Sequence, residues 1–162
     1  KDNRADSIEN LHKFIEDGFD KCREVKATLW GVCLFDNPFF LKKGFTTNLK
    51  YIGAFYGVIV THNTKAIKVT IDQFEDFQYS MEHFLLDGVV LRYSNIGLVS
   101  NWYNQNGGIC ANKGGLENRL KESVLNGDML VNKYRGMLKL YNKKDGTLNI
   151  KLNHNFKKIE LI

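Results

Sequence analysis

Two adjacent carboxylates, Glu75 and Asp76, stand where a polar turn becomes an amphipathic run in "IDQFEDFQYSMEHFLLDGVVLRYS", residues 71–94. A carboxylate held rigidly at a helix start can take a proton from a hydroxyl brought within hydrogen-bond reach, which is the work of a general base. The same residues also suit a plain cap. Asp72 with Glu75 three positions on spells a capping box, and acids in a first turn are favoured by the helix dipole. Phe74, Phe77, Met81 and Phe84 mark the buried stripe, which puts Asp76 off the core face and leaves Glu75 as the cap.

A second constellation is the loop "NQNGGICANKGG", with Gly107-Gly108 and Lys113, followed by Arg119. Paired glycines let backbone N–H groups approach a phosphate closely, and a lysine or arginine neutralises its charge. The spacing fits neither the P-loop nor the dinucleotide fingerprint, and a solvated surface loop is the other reading. Trp102 and Tyr103 lead into the loop and could stack on a base or a sugar, or close a strand end. His62 ends an apolar stretch, where a capping or core role competes with a metal or phosphate contact. His12, His83 and His154 share no metal-ligand spacing, so metal ligands are unknown from sequence.

The last thirty residues carry Lys133, Arg135, Lys139, Lys143, Lys144, Lys151, Lys157 and Lys158. In a hairpin some of these share a face, which would make an electrostatic footprint for nucleic acid, with Lys139, Lys143 and Lys144 at its centre. A lysine-rich edge that blocks strand pairing is the competing reading. No serine–histidine–acid set or activated cysteine stands out.

These residues need elements to position them. Asp6-Ser7-Ile8-Glu9 reads as a helix start, and Ile8, Leu11, Ile15, Phe19, Cys22 and Val25 continue at helical spacing through about 7–27. "TLWGVCLF" (28–35) is short and almost wholly apolar, the pattern of a strand covered on both faces. "DNPFFLKKGFTTN" (36–48) holds the single proline and reads as a loop whose phenylalanines pack down over the fold. Strands follow at 49–62, bent at Gly53 or Gly57, and at 89–100, the latter with a hairpin turn near Ser94-Asn95; the helix between them ends at Asp87-Gly88. A last helix spans 116–126, and "MLKLYNKKDGTLNIKL" alternates on both sides of Asp145-Gly146, a hairpin signal. The expected fold is α/β, a layered mixed sheet with flanking helices and a C-terminal antiparallel hairpin, in one domain over 1–162. Ligand chemistry in such a fold gathers at the carboxyl ends of parallel strands, here the loops 36–48, 62–76 and 101–115.

Composition sets the outer bounds. The chain of 162 residues is 43% hydrophobic and 25% charged, which suits a globular domain with a real core. No apolar run reaches the ~20 residues of a membrane span, so no membrane partner is expected. Three widely spaced cysteines, Cys22, Cys33 and Cys110, read as reduced thiols and point to a cytoplasmic compartment. The net charge of +5 favours polyanionic partners.

Taken in order, "LWGV…NPFFLK…TTNLKYIGAFYGVIVTH…EDFQYSMEHFLLDGVVLRYSNIG…WY…GG…R" resembles a family of glycosyltransferase-like proteins of large DNA viruses and bacteriophages, over about Leu11 to Arg119. The resemblance implies a partial GT-A-like architecture and nucleotide-sugar-dependent transfer of a sugar to a hydroxyl on a modified DNA base or a glycan. It implies a divalent metal, Mg2+ or Mn2+, held by an acidic run; this chain lacks that run and resembles the acceptor-side half. The rest is then expected from an N-terminal segment or a second chain, in the host cytoplasm for a viral protein. On this likeness Asp76 is the general base with Glu75 beside it. Gly107, Gly108, Lys113 and Arg119 close over the diphosphate, and Asn37, with Trp102, contacts substrate. A basic, non-catalytic nucleic-acid-binding module is the alternative.

Overall fold

The strand β1 (Leu29–Cys33) is buried at all five positions, as its unbroken apolar run requires. With β4 (Leu91–Gly97) it is one of the two inner strands of a four-stranded mixed sheet, whose edges are β2 (Phe45–Thr46) and β3 (Tyr56–Val58), in the order β2-β4-β1-β3. β4 runs parallel to β1 with Trp30 opposite Leu91, while β3 pairs antiparallel with β1 and β2 antiparallel with β4. The computed structural model describes residues 7–35, 37, 39–99, 116–144 and 148–157.

Helices cover the two faces. α1 (Leu11–Glu24) starts at Asn10, whose side chain accepts from the Lys13 N–H at 2.9 Å, so the helix begins later than Asp6 and is shorter than 7–27. It lies against Trp30 so closely that a methyl group at Gly18 would sit 2.7 Å from the indole. Phe14 and Phe19 meet the same ring edge-on, closing a cluster with Cys22, Ala27 and Leu91. On the opposite face Leu29, Leu49, Ile52, Met81, Phe84 and Val90 form a core that continues through Leu130, Met137, Ile150 and Leu152. Each such side chain contributes about 1.5–3 kcal/mol on burial. After the short α2 (His62–Lys65) and α3 (Glu75–Asp87), the chain ends in α4 (Leu116–Lys133) and an antiparallel hairpin, β5 (Leu138–Asn142) with β6 (Leu148–Leu152). The mixed α/β layering and the terminal hairpin are those read from the sequence; the Asp145-Gly146 turn itself lies outside the described residues.

Several boundaries differ, each for a physical reason. The stretch 49–62 forms only three residues of strand, because Leu49 and Ile52 plug the core from irregular backbone and Ala54 adopts a left-handed conformation (φ 56°). His62 opens α2 rather than closing a strand. Ser94-Asn95 lie within β4 rather than in a hairpin turn, at an irregularity where the β1 register jumps from Val32 opposite Tyr93 to Cys33 opposite Gly97. α4 extends seven residues past the expected end, through Lys133, since Leu130 faces the core. Phe39 and Phe40 do not pack down: they are 86% and 58% exposed and contact each other edge-on.

Cys22 and Cys33 are free and buried, as expected of reduced thiols, and burial pushes the Cys22 thiol up to about 12. Cys110 lies outside the described residues. Among the described residues no helix is long and apolar enough to cross a membrane.

Candidate functional site

α3 is placed by polar side chains on its buried side. At its C-terminal end the Asp87 carboxylate accepts from the Thr28 N–H at 2.7 Å, and His83 Nδ1 lies 2.7 Å from the Thr28 hydroxyl, where β1 begins. Midway, Ser80 Oγ accepts from the Ile52 N–H at 2.9 Å and lies 3.1 Å from the Ile52 carbonyl. Since β3 is antiparallel to β1, the segment 51–55 that precedes it lies towards the carboxyl end of β1. The start of α3 is therefore carried to the carboxyl end of the parallel pair β1/β4, where open α/β sheets hold their ligands.

There the Tyr51 hydroxyl donates to the Asp76 carboxylate, whose other oxygen accepts from the Phe77 N–H at 2.9 Å. Asp76 is half-buried rather than free to point elsewhere, which corrects its placement off the core face. Burial raises its carboxyl above the usual aspartate range, and the neighbouring Glu75 adds to that, while the Tyr51 and Phe77 hydrogen bonds oppose it. The outcome is a carboxylate more basic than usual and fixed by two donors.

The expected capping box is absent. Phe74 is the N-cap, in a left-handed conformation (φ 65°, ψ 22°) with no side-chain cap bond. With Phe74 as the N-cap, Asp72 lies two residues outside the helix, and Asp76 satisfies one of the first helical N–H groups from inside it. Glu75 is exposed in the first turn. A bulky residue at positive φ carries strain of about 1–3 kcal/mol, and such strain gathers at functional sites. Here two strained residues, Ala54 and Phe74, border the Tyr51–Asp76 pair.

The other expected site residues divide sharply. Asn37 is exposed, and its side chain accepts from the Phe39 N–H at 3.0 Å, so it shapes its own turn. Trp102, Gly107, Gly108, Lys113 and the Arg119 side chain lie outside the described residues. Lys139, Lys143 and Lys144 are exposed on the hairpin, with Lys139 directly opposite Lys151. They belong to the two-stranded sheet, whereas the Tyr51–Asp76 pair stands at the end of the four-stranded one. A groove of about 500 Å³ opens between Thr70-Ile71 and α4, lined by Leu125 and Met129, and neither Asp76 nor Asn37 borders it.

Tyr51, Ser80 and Arg92 were not singled out by sequence reasoning. The phenylalanine stripe was a signal only for the helix; a tyrosine twenty-five residues away carries none. Among the described residues no three of His, Cys, Asp and Glu come together to hold a metal ion. Comparison with protein-family models, with curated proteins and with solved structures returns no match.

Proposed function

We propose that this chain forms the acceptor side of a nucleotide-sugar-dependent glycosyltransferase, with Asp76 as general base. The observation that carries the reading is the half-buried Asp76 carboxylate, raised in basicity by burial and held by Tyr51 at the carboxyl end of β1. An acceptor hydroxyl reaching Asp76 gives up its proton to the carboxylate as its oxygen bonds to the anomeric carbon of the donor sugar. The bond from that carbon to the diphosphate oxygen breaks, and the nucleoside diphosphate leaves with the electron pair. A base matched to neutral pH contributes about 100-fold or more to such a step. The resemblance implies a divalent metal for the complete enzyme; the described residues offer no ligand set for it, and no step here passes through one.

The acceptor class that fits a chain of net charge +5 is a hydroxylated DNA base, with a glycan as the uncharged alternative. The test is release of nucleoside diphosphate from a panel of donor sugars in the presence of either acceptor. Turnover should fall about 100-fold in Asp76→Asn. Unchanged turnover in that variant would remove Asp76 from the reaction.

A second reading has its own observation. Lys139 and Lys151 pair across the hairpin with Tyr141 exposed beside them, so one face offers two cations and an aromatic ring to a phosphate backbone. As a non-catalytic nucleic-acid module the chain should bind DNA with a steep salt dependence that Lys139→Glu weakens.

A further inference from the structure

Arg92 stands in β4 opposite Gly31 and Thr46, between Leu91 and Tyr93, which pack with Trp30 beneath α1. Strand alternation therefore turns Arg92 to the other face, the one covered by Leu49 and Ile52. Two lysines and a histidine are brought to it by backbone anchors. The Lys42 N–H donates to the Ser94 carbonyl at 2.8 Å, two positions from Arg92. Lys50 follows the buried Leu49, and the Leu49 carbonyl accepts from His154 Nδ1 at 3.1 Å. With that nitrogen as the donor, Nε2 is left to take up a proton.

Nothing in the cluster balances its charge. Among the described residues none of Lys42, Lys50 and Arg92 makes an ion pair. Arg92 Nε is buried with no hydrogen-bond partner, an arrangement that costs free energy until an acceptor fills it. Burial lowers the Lys50 ammonium below the usual lysine range, and Arg92 and Lys42 lower it further. Burial lowers His154 as well, and Lys50, Arg92 and Lys151 act on it in the same direction. Cys33 is the acidic group acting on Lys50 and Arg92, and burial raises its thiol, so it remains protonated and supplies no negative charge at neutral pH.

We propose that Lys42, Lys50, Arg92 and His154 form a binding site for a small phosphate-bearing anion, a phosphate or diphosphate group that arrives free or as the end of a nucleotide. Arg92 offers a planar fork to two oxygens, and the lysines act as point charges around it. The site stands on its own residues and does not depend on the role given to Asp76.

Titration calorimetry of the full 162-residue chain with inorganic phosphate, inorganic pyrophosphate and uridine diphosphate tests this. Saturable binding of pyrophosphate is expected, weakened about tenfold or more by Lys50→Gln and by Arg92→Gln, and unchanged by Lys13→Gln on α1. Uridine diphosphate binding as well as pyrophosphate assigns a nucleotide source; pyrophosphate binding with uridine diphosphate excluded assigns the free anion. Because Arg92 is part of the sheet, the exposed Lys42→Gln combined with Lys50→Gln provides a folded variant that must also lose binding. Absence of heat with all three anions overturns the proposal. So does binding that survives the double variant, or binding of a DNA oligonucleotide without any binding of pyrophosphate.

Discussion

Tyr51 donates its phenolic O–H to the Asp76 carboxylate, and Gly53 leaves little space over the pair: a methyl group there would lie 3.0 Å from the tyrosine oxygen and 3.2 Å from the carboxylate. Ser80 ties the same segment to α3 through both polar atoms of the Ile52 backbone. Asp76 is thus held by a loop and a helix together. Changes on either side should report on it.

Asp76→Asn is expected to separate stability from activity. The carboxyl is raised by burial, so its ionised form is the one the fold disfavours, and its contribution is lost as pH rises through the folded value. Asparagine keeps an acceptor for the Phe77 N–H and presents an amide N–H2 that can donate to the Tyr51 oxygen, without the charge. Thermal melting at pH 7 should therefore rise by about 1–4 °C while sugar transfer disappears, and the difference in melting should vanish below the ordinary aspartate range. A lower Tm at pH 7 would show that the charge is stabilising.

Tyr51→Phe removes the hydrogen bond that opposes the effect of burial on Asp76. The Asp76 carboxyl should titrate at still higher pH in this variant, which a carbon-detected NMR titration reads directly. A downward move would mean that the hydroxyl is not donating to the ionised form.

His83 should make the fold sensitive to acid. Burial holds its ring below the usual histidine range, against the pull of Asp87 and Glu82. The unfolded chain then takes up a proton near pH ~6.5 while the folded chain stays neutral, so stability falls as pH drops through that value and levels off below the folded one. Urea midpoints at pH 7.5 and 5.5 should differ less in His83→Gln than in the parent. Equal differences in both would assign the acid sensitivity to another group.

Ser80→Ala leaves the Ile52 N–H buried without its acceptor. Chemical denaturation should show a loss of about 1–3 kcal/mol, the cost of an unsatisfied buried donor. Since the same serine holds the segment that bears Tyr51, any transfer activity should fall with it. A loss under ~0.5 kcal/mol would mean that the peptide finds another partner.

Much of this architecture was legible where one short segment decides its own fate. The run from Leu29 to Cys33 is apolar throughout and had to be covered on both faces, and Gly88 closes α3 at positive φ (80°) as a glycine after a helix commonly does. The site was legible only in part. Asp76 could be picked out as an acid at a helix start, but its environment depends on Tyr51, and nothing local connects the two. Phe74 is the sharpest case: its type suggests core, and only the packed fold turns it into a left-handed cap that displaces Asp72. Gln78, Ser80 and His83 show another limit. They are polar by type yet buried, because each reaches a separate irregular segment, at Thr70, Ile52 and Thr28.

The order of the strands also bears on how the chain reaches this state. β1 is flanked by β3 and β4, and both are synthesised after it. Until Leu91 has left the ribosome, "LWGVC" lacks its parallel partner β4, and closing that gap is slow because the contacts span so much chain. α1, with Phe14 and Phe19, is made before β1 and can shield Trp30 during translation. Weakening α1 should therefore lower the yield of soluble protein more than it lowers the stability of molecules that have finished folding.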